Sequence, residues 1–392
     1  MKLFTCRGCA LLCQNVATGE FTACPKANFS PSPELFPQIS GKPANLEQAL
    51  QAAADLLRAS RFPLLLTTGA AVVETRVMLT VAEKIQATVD LVGSAARLDT
   101  LHAWQTQRIH QTTLTELRQR ADVVCVIGEG FAEKMPYFYR DFIAPKPQFS
   151  EQRRVVFIGE TAPFENNLHL YCKSTQFPQI LAILLALLKG KLLEKSVYEL
   201  PEFPKILHVV ELFRSANYGV ITWLNAGLGE NADLTQSMIY QLITYLAKSQ
   251  RFTALSLIDN PENITFTQVS TWRTGFPFHY QFTEQGVIAD NWKYDGARVL
   301  AKQESDMVLF VGDCSKNTMD FNQVPAIVFD TSGNAAAVNR AAVWVPVGKT
   351  GIDYAGQLFR ADQGSVVNLN AFRENSLLPN LVAVLMELCV KL

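Results

Sequence analysis

The sequence predicts an α/β protein of two related open-sheet lobes, preceded by a small cysteine-rich module. Three observations predict it. Short apolar runs ending in glycine alternate with stretches of helical apolar spacing, the pattern of parallel strands joined by crossover helices. That order occurs twice along the 392 residues. Four of the eight cysteines, Cys6, Cys9, Cys13 and Cys24, stand ahead of a proline-rich stretch. At roughly 150 residues per domain the length suits two or three domains and a large core. The expected boundaries are 1–43 for the module and its connector, 44–200 for the first lobe and 201–392 for the second.

In the connector, Pro31, Pro33, Pro37 and Pro43 exclude a regular helix or a central strand. Leu46, Leu50, Ala53, Leu56 and Leu57 then recur at helical spacing over 46–59. PLLLTTG (63–69) is a buried strand closed by a glycine turn, helical period returns over 74–87, and the strand TVDLV begins at Thr88. The second copy begins near Ser215. SRFPLLLTTGAA (60–71) has its counterpart in ANYGVITWLNAG (216–227), and TVDLV has its counterpart in FTALSL. RADVVCVIGE (120–129) matches ESDMVLFVGD (304–313), and each is followed by a further buried strand, RVVFIGE (154–160) and PAIVFDTSG (325–333). The two lobes are expected to join near 195–214.

Composition excludes several function classes. Lys plus Arg number 35 and Asp plus Glu 36, a net charge of -1, which gives no field for nucleic acid or an anionic membrane. Charged residues are 18% of the chain, below the usual share of about 25%. With 48% apolar residues this describes a subunit that buries part of its outside. The longest apolar stretch, FPQILAILLALL (177–188), is shorter than the roughly 20 residues needed to span a bilayer and is expected to be a buried helix. The first residues contain no apolar core of signal-peptide length, so a cytoplasmic protein is expected. Cys125, Cys172, Cys314 and Cys389 lie in apolar runs and read as reduced core cysteines. Gly128 and Gly312 end strands where open sheets bind ligands, but tight turns explain them equally well. Neither opens a GxGxxG loop, and no Walker, HExxH or GxSxG pattern occurs.

The clustered cysteines form C-x2-C-x3-C followed by Cys24-Pro25. Four thiolates so close in sequence suit a [4Fe-4S] cluster, and a proline after the last ligand recurs in such sites. Zinc is the alternative, although its sites more often show two separated C-x2-C pairs. An empty relic is the third reading. Chance grouping of core cysteines is disfavoured because Arg7, Gly8 and Gln14 make the turn partly polar.

This N-terminus ahead of duplicated α/β lobes resembles the molybdopterin oxidoreductase superfamily, in which the cluster feeds a molybdenum or tungsten bis-pterin centre. Within it the chain is similar to the B-type subunit of formylmethanofuran dehydrogenase. QVSTWRTGFPF (268–278) looks like that family's Q-V-x-T-W-x-T-G-Y-P-[YF] signature. AAVWVP (341–346), GIDYAG (351–356) and Arg360 resemble its A-N-x-V-I-P…G-x-E-x-x-G-T-x-x-R element, and Arg120–Val124 extends the likeness across nearly the whole chain.

The departures concern the metal centre. The family's metal ligand is a cysteine in S-V-C-H-G, and the corresponding residues here are Ser94, Ala95, Ala96, Arg97 and Leu98. Ala96 takes the place of the ligand and Arg97 that of the histidine. A methyl group has no donor orbital, so no molybdenum or tungsten pterin is expected. The family's G-C-N-P-x-x-x-H-P-R reads GEGFAEKMP (128–136), and its D-P-R-K-T reads GETAP (159–163). Glu129 and Glu160 would repel a pyrophosphate.

A kept fold with a lost centre resembles the B-type subunits of the bacterial formyltransferase/hydrolase complexes. That resemblance implies a non-redox, mainly structural subunit beside amidohydrolase-like, formyltransferase and C-type subunits, in tetrahydromethanopterin-linked one-carbon metabolism. The alternatives are a molybdenum- or tungsten-dependent formylmethanofuran dehydrogenase subunit with another metal ligand, and a two-lobed nucleotide-binding protein. Among the remaining polar residues, His102, Trp104 and His110 are expected on one helix as surface or subunit contacts. Trp272, Arg273 and His279 would line the old pterin cavity or pack between lobes, and Asp353 and Arg360 would form an ion pair.

Overall fold

The computed structural model describes residues 3–14, 16–17, 24–27, 35–107, 110–162, 168–317, 323–333, 341–373 and 376–392. Pro31, Pro33 and Pro163 lie outside these. The N-terminal module carries a short antiparallel pair, β1 (Leu3–Phe4) and β2 (Val16–Ala17). The connector ends in a hairpin, β3 (Gln38–Ile39) and β4 (Lys42–Pro43), turned by Ser40 and Gly41, both at positive φ. Helix α1 (Leu46–Ala59) is capped by Asn45 in a reciprocal capping box with Gln48. There follow β5 (Pro63–Thr67), α2 (Val72–Lys84), β6 (Thr88–Leu91), α3 (Ala95–Thr106) and α4 (Leu114–Arg120). Next come β7 (Val123–Ile127), α5 (Phe131–Lys134), β8 (Arg154–Gly159), β9 (Leu168–Tyr171) and α6 (Phe177–Leu188), the last covering the longest apolar stretch. Two helices, α7 (Lys195–Tyr198) and α8 (Phe203–Arg214), occupy the expected join.

The second copy supplies β10 (Tyr218–Leu224), α9 (Ala232–Leu246), β11 (Arg251–Leu257) and α10 (Pro261–Thr274). A hairpin of β12 (Tyr280–Thr283) and β13 (Gly286–Ala289) precedes α11 (Gly296–Ala301) and β14 (Met307–Gly312). The chain ends with β15 (Ala326–Asp330), β16 (Val343–Pro346), the pair β17 (Gly356–Phe359) and β18 (Val366–Leu369), and α12 (Leu381–Lys391).

The sheets do not divide at residue 200. One has the order β11-β10-β7-β8-β9; the other has the order β13-β12-β6-β5-β14-β15-β16-β3-β4. Their parallel parts, β11-β10-β7-β8-β9 and β6-β5-β14-β15-β16, are equivalent strand for strand. Each has the doubly wound order 2-1-3-4-5 when its strands are counted along the chain by their place in the repeat. The duplication seen in the sequence is therefore present, but the copies have exchanged strands. β5 and β6 of the first copy pair with β14–β16 of the second, while β10 and β11 of the second pair with β7–β9 of the first. The lobes expected at 44–200 and 201–392 are corrected accordingly, because each sheet draws on both. The end of the connector is an edge hairpin of the larger sheet, β3 pairing with β16 and Pro43 lying where edge strands tolerate proline.

Both faces of each sheet are covered, which is why the strands read as continuous apolar runs. In β7, Val123, Cys125 and Ile127 enter one core while Val124 and Val126 enter another. In β14, Met307, Leu309 and Val311 alternate in the same way with Val308 and Phe310. α6 packs on the five-stranded sheet through Ile180, Leu181 and Leu184. No described helix is long and apolar enough to cross a membrane.

Candidate functional site

The cysteine loop lies against both halves of the molecule. Its turns are closed by the Cys6 N–H donating to Cys13 O at 2.8 Å and the Ala27 N–H donating to Cys24 O at 3.0 Å. Arg7 bolts the loop down. Its guanidinium pairs with Glu262 in the first turn of α10 and donates to the Thr350 carbonyl beyond β16. Of the polar residues in this turn, Arg7 is spent on a buried ion pair, its side chain 3% exposed, while Gln14 is exposed. Ala361 adds a backbone bond to Ala10 at 2.8 Å.

All four predicted cysteines are free and line one cavity of about 310 Å³, closed by Leu11, Val16, Ala27, Pro136, Tyr137 and Arg140. Burial, and less so the neighbouring thiols, pushes Cys9 and Cys13 up to about 12 and raises Cys6 as well. Thiolates held this way need a cation beside them, which is what a bound metal supplies. Among the described residues, the one group of three or more His, Cys, Asp or Glu ligand atoms within 4.8 Å of one another is Asp90, His279 and Asp295. No three of the cysteine sulfurs approach that closely. A single zinc ion with bonds of about 2.3 Å would hold four sulfurs about 3.8 Å apart. As they stand, the sulfurs are spaced more widely than one zinc ion would hold them, and the cavity leaves room between them.

A second cavity of about 560 Å³ lies over α3. The signature segment walls it, but with Gln268, Thr271, Phe276, Pro277 and Phe278 rather than the expected Trp272, Arg273 and His279. Trp272 is 64% exposed and stands edge-on to Phe359. Arg273 leaves the cavity to pair with Glu83 at 2.5 Å, tying α10 to α2. His279 is fully buried. From α3 the wall takes Arg97, Thr100, Leu101, Trp104 and Gln105. Trp104 is thus corrected from a surface residue to a wall residue, and its indole N–H donates to Tyr240 Oη at 2.8 Å. His102 stays on α3, whereas His110 lies beyond the end of the helix and is exposed.

α3 is held at the carboxyl end of the five-stranded sheet by side-chain bonds. Asn225 Nδ2 donates to Thr100 Oγ1 at 3.0 Å and Ser256 Oγ donates to Asn225 Oδ1 at 2.8 Å. Ala96 falls in the first turn of α3. Arg97, the next residue, donates to Asn263 O at 3.4 Å and to Thr267 Oγ1 of α10.

At the ends of β7 and β8 the carboxylate of Glu129 takes up backbone and hydroxyl donors. Its Oε1 accepts the Glu160 N–H at 2.6 Å, and its Oε2 accepts the Thr161 hydroxyl at 2.6 Å. Gly128 and Gly312 serve close approach: a Cβ would stand 2.5 Å from Gly227 O at the first and 2.2 Å from Thr68 Oγ1 at the second. The expected Asp353–Arg360 pair does not form. Arg360 pairs two residues on with Asp362 at 2.7 Å, and Asp353 pairs with Arg373 at 2.9 Å. The residues missed from sequence are Asp90 and Asp295, which gather about His279. Their one signal is an acid inside the apolar strand TVDLV.

Two doubly wound sheets that exchange strands, with a cysteine loop clamped across them and alanine at position 96, form a scaffold similar to that of B-type subunits of formyltransferase/hydrolase and formylmethanofuran dehydrogenase complexes. The chain is 27% identical over 344 residues to the B-type subunit of the formyltransferase/hydrolase complex of Methylorubrum extorquens, covering 85% of this chain and 90% of that protein. It is 22% identical, over 340 and 346 residues, to the B-type subunits of the tungsten-containing formylmethanofuran dehydrogenase 2 of Methanococcus maripaludis and of Methanocaldococcus jannaschii. Those alignments cover 82% of this chain and 77% of each relative. No protein-family model matches the chain. A chain in the crystal structure of the Methylorubrum extorquens formyltransferase/hydrolase complex with methylofuran shares the fold, with a TM-score of 0.76 at 24% identity over 91% of this chain and 98% of that one. The resemblance to these B-type subunits read from sequence is borne out.

Proposed function

We propose that the chain is the B-type subunit of a formyltransferase/hydrolase complex, a non-redox and mainly structural component of tetrahydromethanopterin-linked formaldehyde oxidation to formate. The carrying observation is the segment Ser94–Leu98, where alanine replaces the family's metal ligand and Arg97 extends to α10. Two further features support the reading. Glu129 occupies backbone donors that a pyrophosphate would need, and the exposed Trp272 and Trp292 suit a subunit surface. Formyl transfer and hydrolysis then belong to amidohydrolase-like, formyltransferase and C-type partners, in the cytoplasm.

In this reading Cys6, Cys9, Cys13 and Cys24 hold a [4Fe-4S] cluster whose binding contributes folding free energy. When bound, such a cluster supplies one-electron chemistry, for which this chain offers no second centre at position 96. Its protein groups position the loop: Arg7 clamps it, and the Gly8 N–H points at Cys6 Sγ at 3.4 Å. The other reading, a molybdenum- or tungsten-dependent dehydrogenase subunit, rests on the more distant relatives.

The test is activity with the formylated coenzyme, reading formate release and dye reduction separately for the isolated chain and the native complex. The isolated chain should be silent in both, and the complex should release formate without reducing dye. Tagged chain should co-purify an amidohydrolase-like and a formyltransferase subunit. Dye reduction, or near-stoichiometric molybdenum or tungsten in the complex, would restore the dehydrogenase reading. Formate release by the chain alone would place hydrolysis here instead.

A further inference from the structure

Three side chains bring oxygens to one buried imidazole nitrogen. Asp90 comes from β6, Ser94 from the approach to α3, His279 from the entrance to β12 and Asp295 from the N-cap of α11. His279 Nε2 lies 2.8 Å from Ser94 Oγ, 3.1 Å from Asp90 Oδ1 and 3.5 Å from Asp295 Oδ2. The side chains of Asp90 and His279 have no exposure to solvent and that of Asp295 is 24% exposed. Among the described residues, neither carboxylate has a lysine or arginine in ion-pair contact.

Two carboxylates this close in a buried place carry a charge that must be offset. A protonated imidazole would offset one of the two charges; a divalent cation offsets both. The spacing agrees with the cation. Ligand bonds of about 2.1 Å put neighbouring donors roughly 3.0–3.4 Å apart in octahedral or tetrahedral geometry. The single hydrogen that Nε2 can carry also cannot serve both carboxylates.

The donors are aimed from behind. Asp90 Oδ2 accepts the Gly296 N–H at 2.7 Å, Asp90 Oδ1 accepts the Leu91 N–H at 2.7 Å, and Asp295 Oδ1 accepts the Arg298 N–H at 2.7 Å. A Cβ on Gly296 would lie 2.8 Å from Asp90 Oδ2, so glycine is what admits the carboxylate. His279 Nδ1 is buried without a hydrogen-bond partner, so the ring is placed by what Nε2 faces. The residue holds a left-handed backbone at φ +56 to put it there.

We propose that Asp90, His279 and Asp295, assisted by Ser94 Oγ, bind one divalent metal ion of the zinc, manganese or ferrous class. Two carboxylates and an imidazole suit these ions rather than the soft ions that thiolates select. The ion ties β6, α3, α11 and the β12 hairpin together at one end of the larger sheet.

The experiment uses the full chain with whatever subunits co-purify, comparing wild type with His279→Gln and Asp295→Asn. Asparagine keeps the N-cap of α11, so the second variant should fold. Metal content by mass spectrometry should fall by one equivalent per chain in each variant. After chelation, Mn²⁺ should bind wild type with one saturable electron paramagnetic resonance signal and raise its unfolding temperature, with neither effect in the variants. Equal metal content in wild type and the two site variants, or a Mn²⁺ response that survives His279→Gln and Asp295→Asn, overturns the assignment.

Discussion

Burial moves several cations away from their ordinary titration, Arg97 and Lys349 among them. It pulls Arg97 down to about 10, and the hydrogen bonds to α10 hold the guanidinium in place. It pulls Lys349 down to about 8, helped by the like charges of Arg7 and Lys316 and resisted by Asp313 at 3.3 Å. An unfolded lysine titrates near about 10.4. Between those values the unfolded chain keeps a proton that the native chain has lost, so this group makes stability rise with pH from about 8 to about 10. Below about pH 8 both states are protonated and the contribution to the slope vanishes. Urea midpoints at pH 7.5, 8.5 and 9.5 should climb more steeply for wild type than for Lys349→Gln; parallel curves would contradict the assignment. Single residues were legible where a motif framed them, as at Ala96 and Arg97. They were not where the partner lies far along the chain, as for Arg7 with Glu262 or Asp90 with His279.

Elements were legible in proportion to how one-sided their surroundings are. The 46–59 and 177–188 helices follow from apolar spacing or apolar length, because one dominant environment sets each. α3 is harder: it faces α9 on one side and an open cavity of mixed lining on another, so its sequence has no clean apolar stripe and Trp104 reads as a surface residue. Where β5 meets β14, the exchange of strands depends on a backbone approach that side chains cannot make. Gly312 holds φ +139 with Thr68 Oγ1 in the space of its missing Cβ, and that hydroxyl accepts the Asp313 N–H at 2.8 Å. Gly312→Ala should therefore cost roughly 2–4 kcal/mol, from strain plus overpacking. Gly41→Ala has positive φ but nothing within 4 Å of its Cβ, and should cost about 1 kcal/mol. Denaturant unfolding of the two variants separates the terms, and equal losses would mean that the β5–β14 approach is not tight.

At the scale of the whole molecule, the repeat was legible and the exchange was not, for a physical reason. Strand and helix periods report on neighbours a few residues away, whereas pairing of β5 with β14 joins segments more than two hundred residues apart and leaves no local mark. The consequence is measurable. A first-copy fragment, 1–200, would contain β5 and β6 without the strands that flank them in the larger sheet, and β7–β9 without β10. Each would expose an apolar sheet edge and the inner face of half a core, a state that aggregates rather than folds. The 201–392 fragment would carry the complementary defects. Expressed separately, both fragments should be insoluble or lack a cooperative thermal transition; expressed together they should associate, since each holds the strands the other needs. Circular dichroism and sedimentation of the single and paired fragments give the readout. A monomeric 1–200 fragment that melts cooperatively would show that the first copy can close its own sheet, and that the exchanged pairing is not what the chain requires to fold.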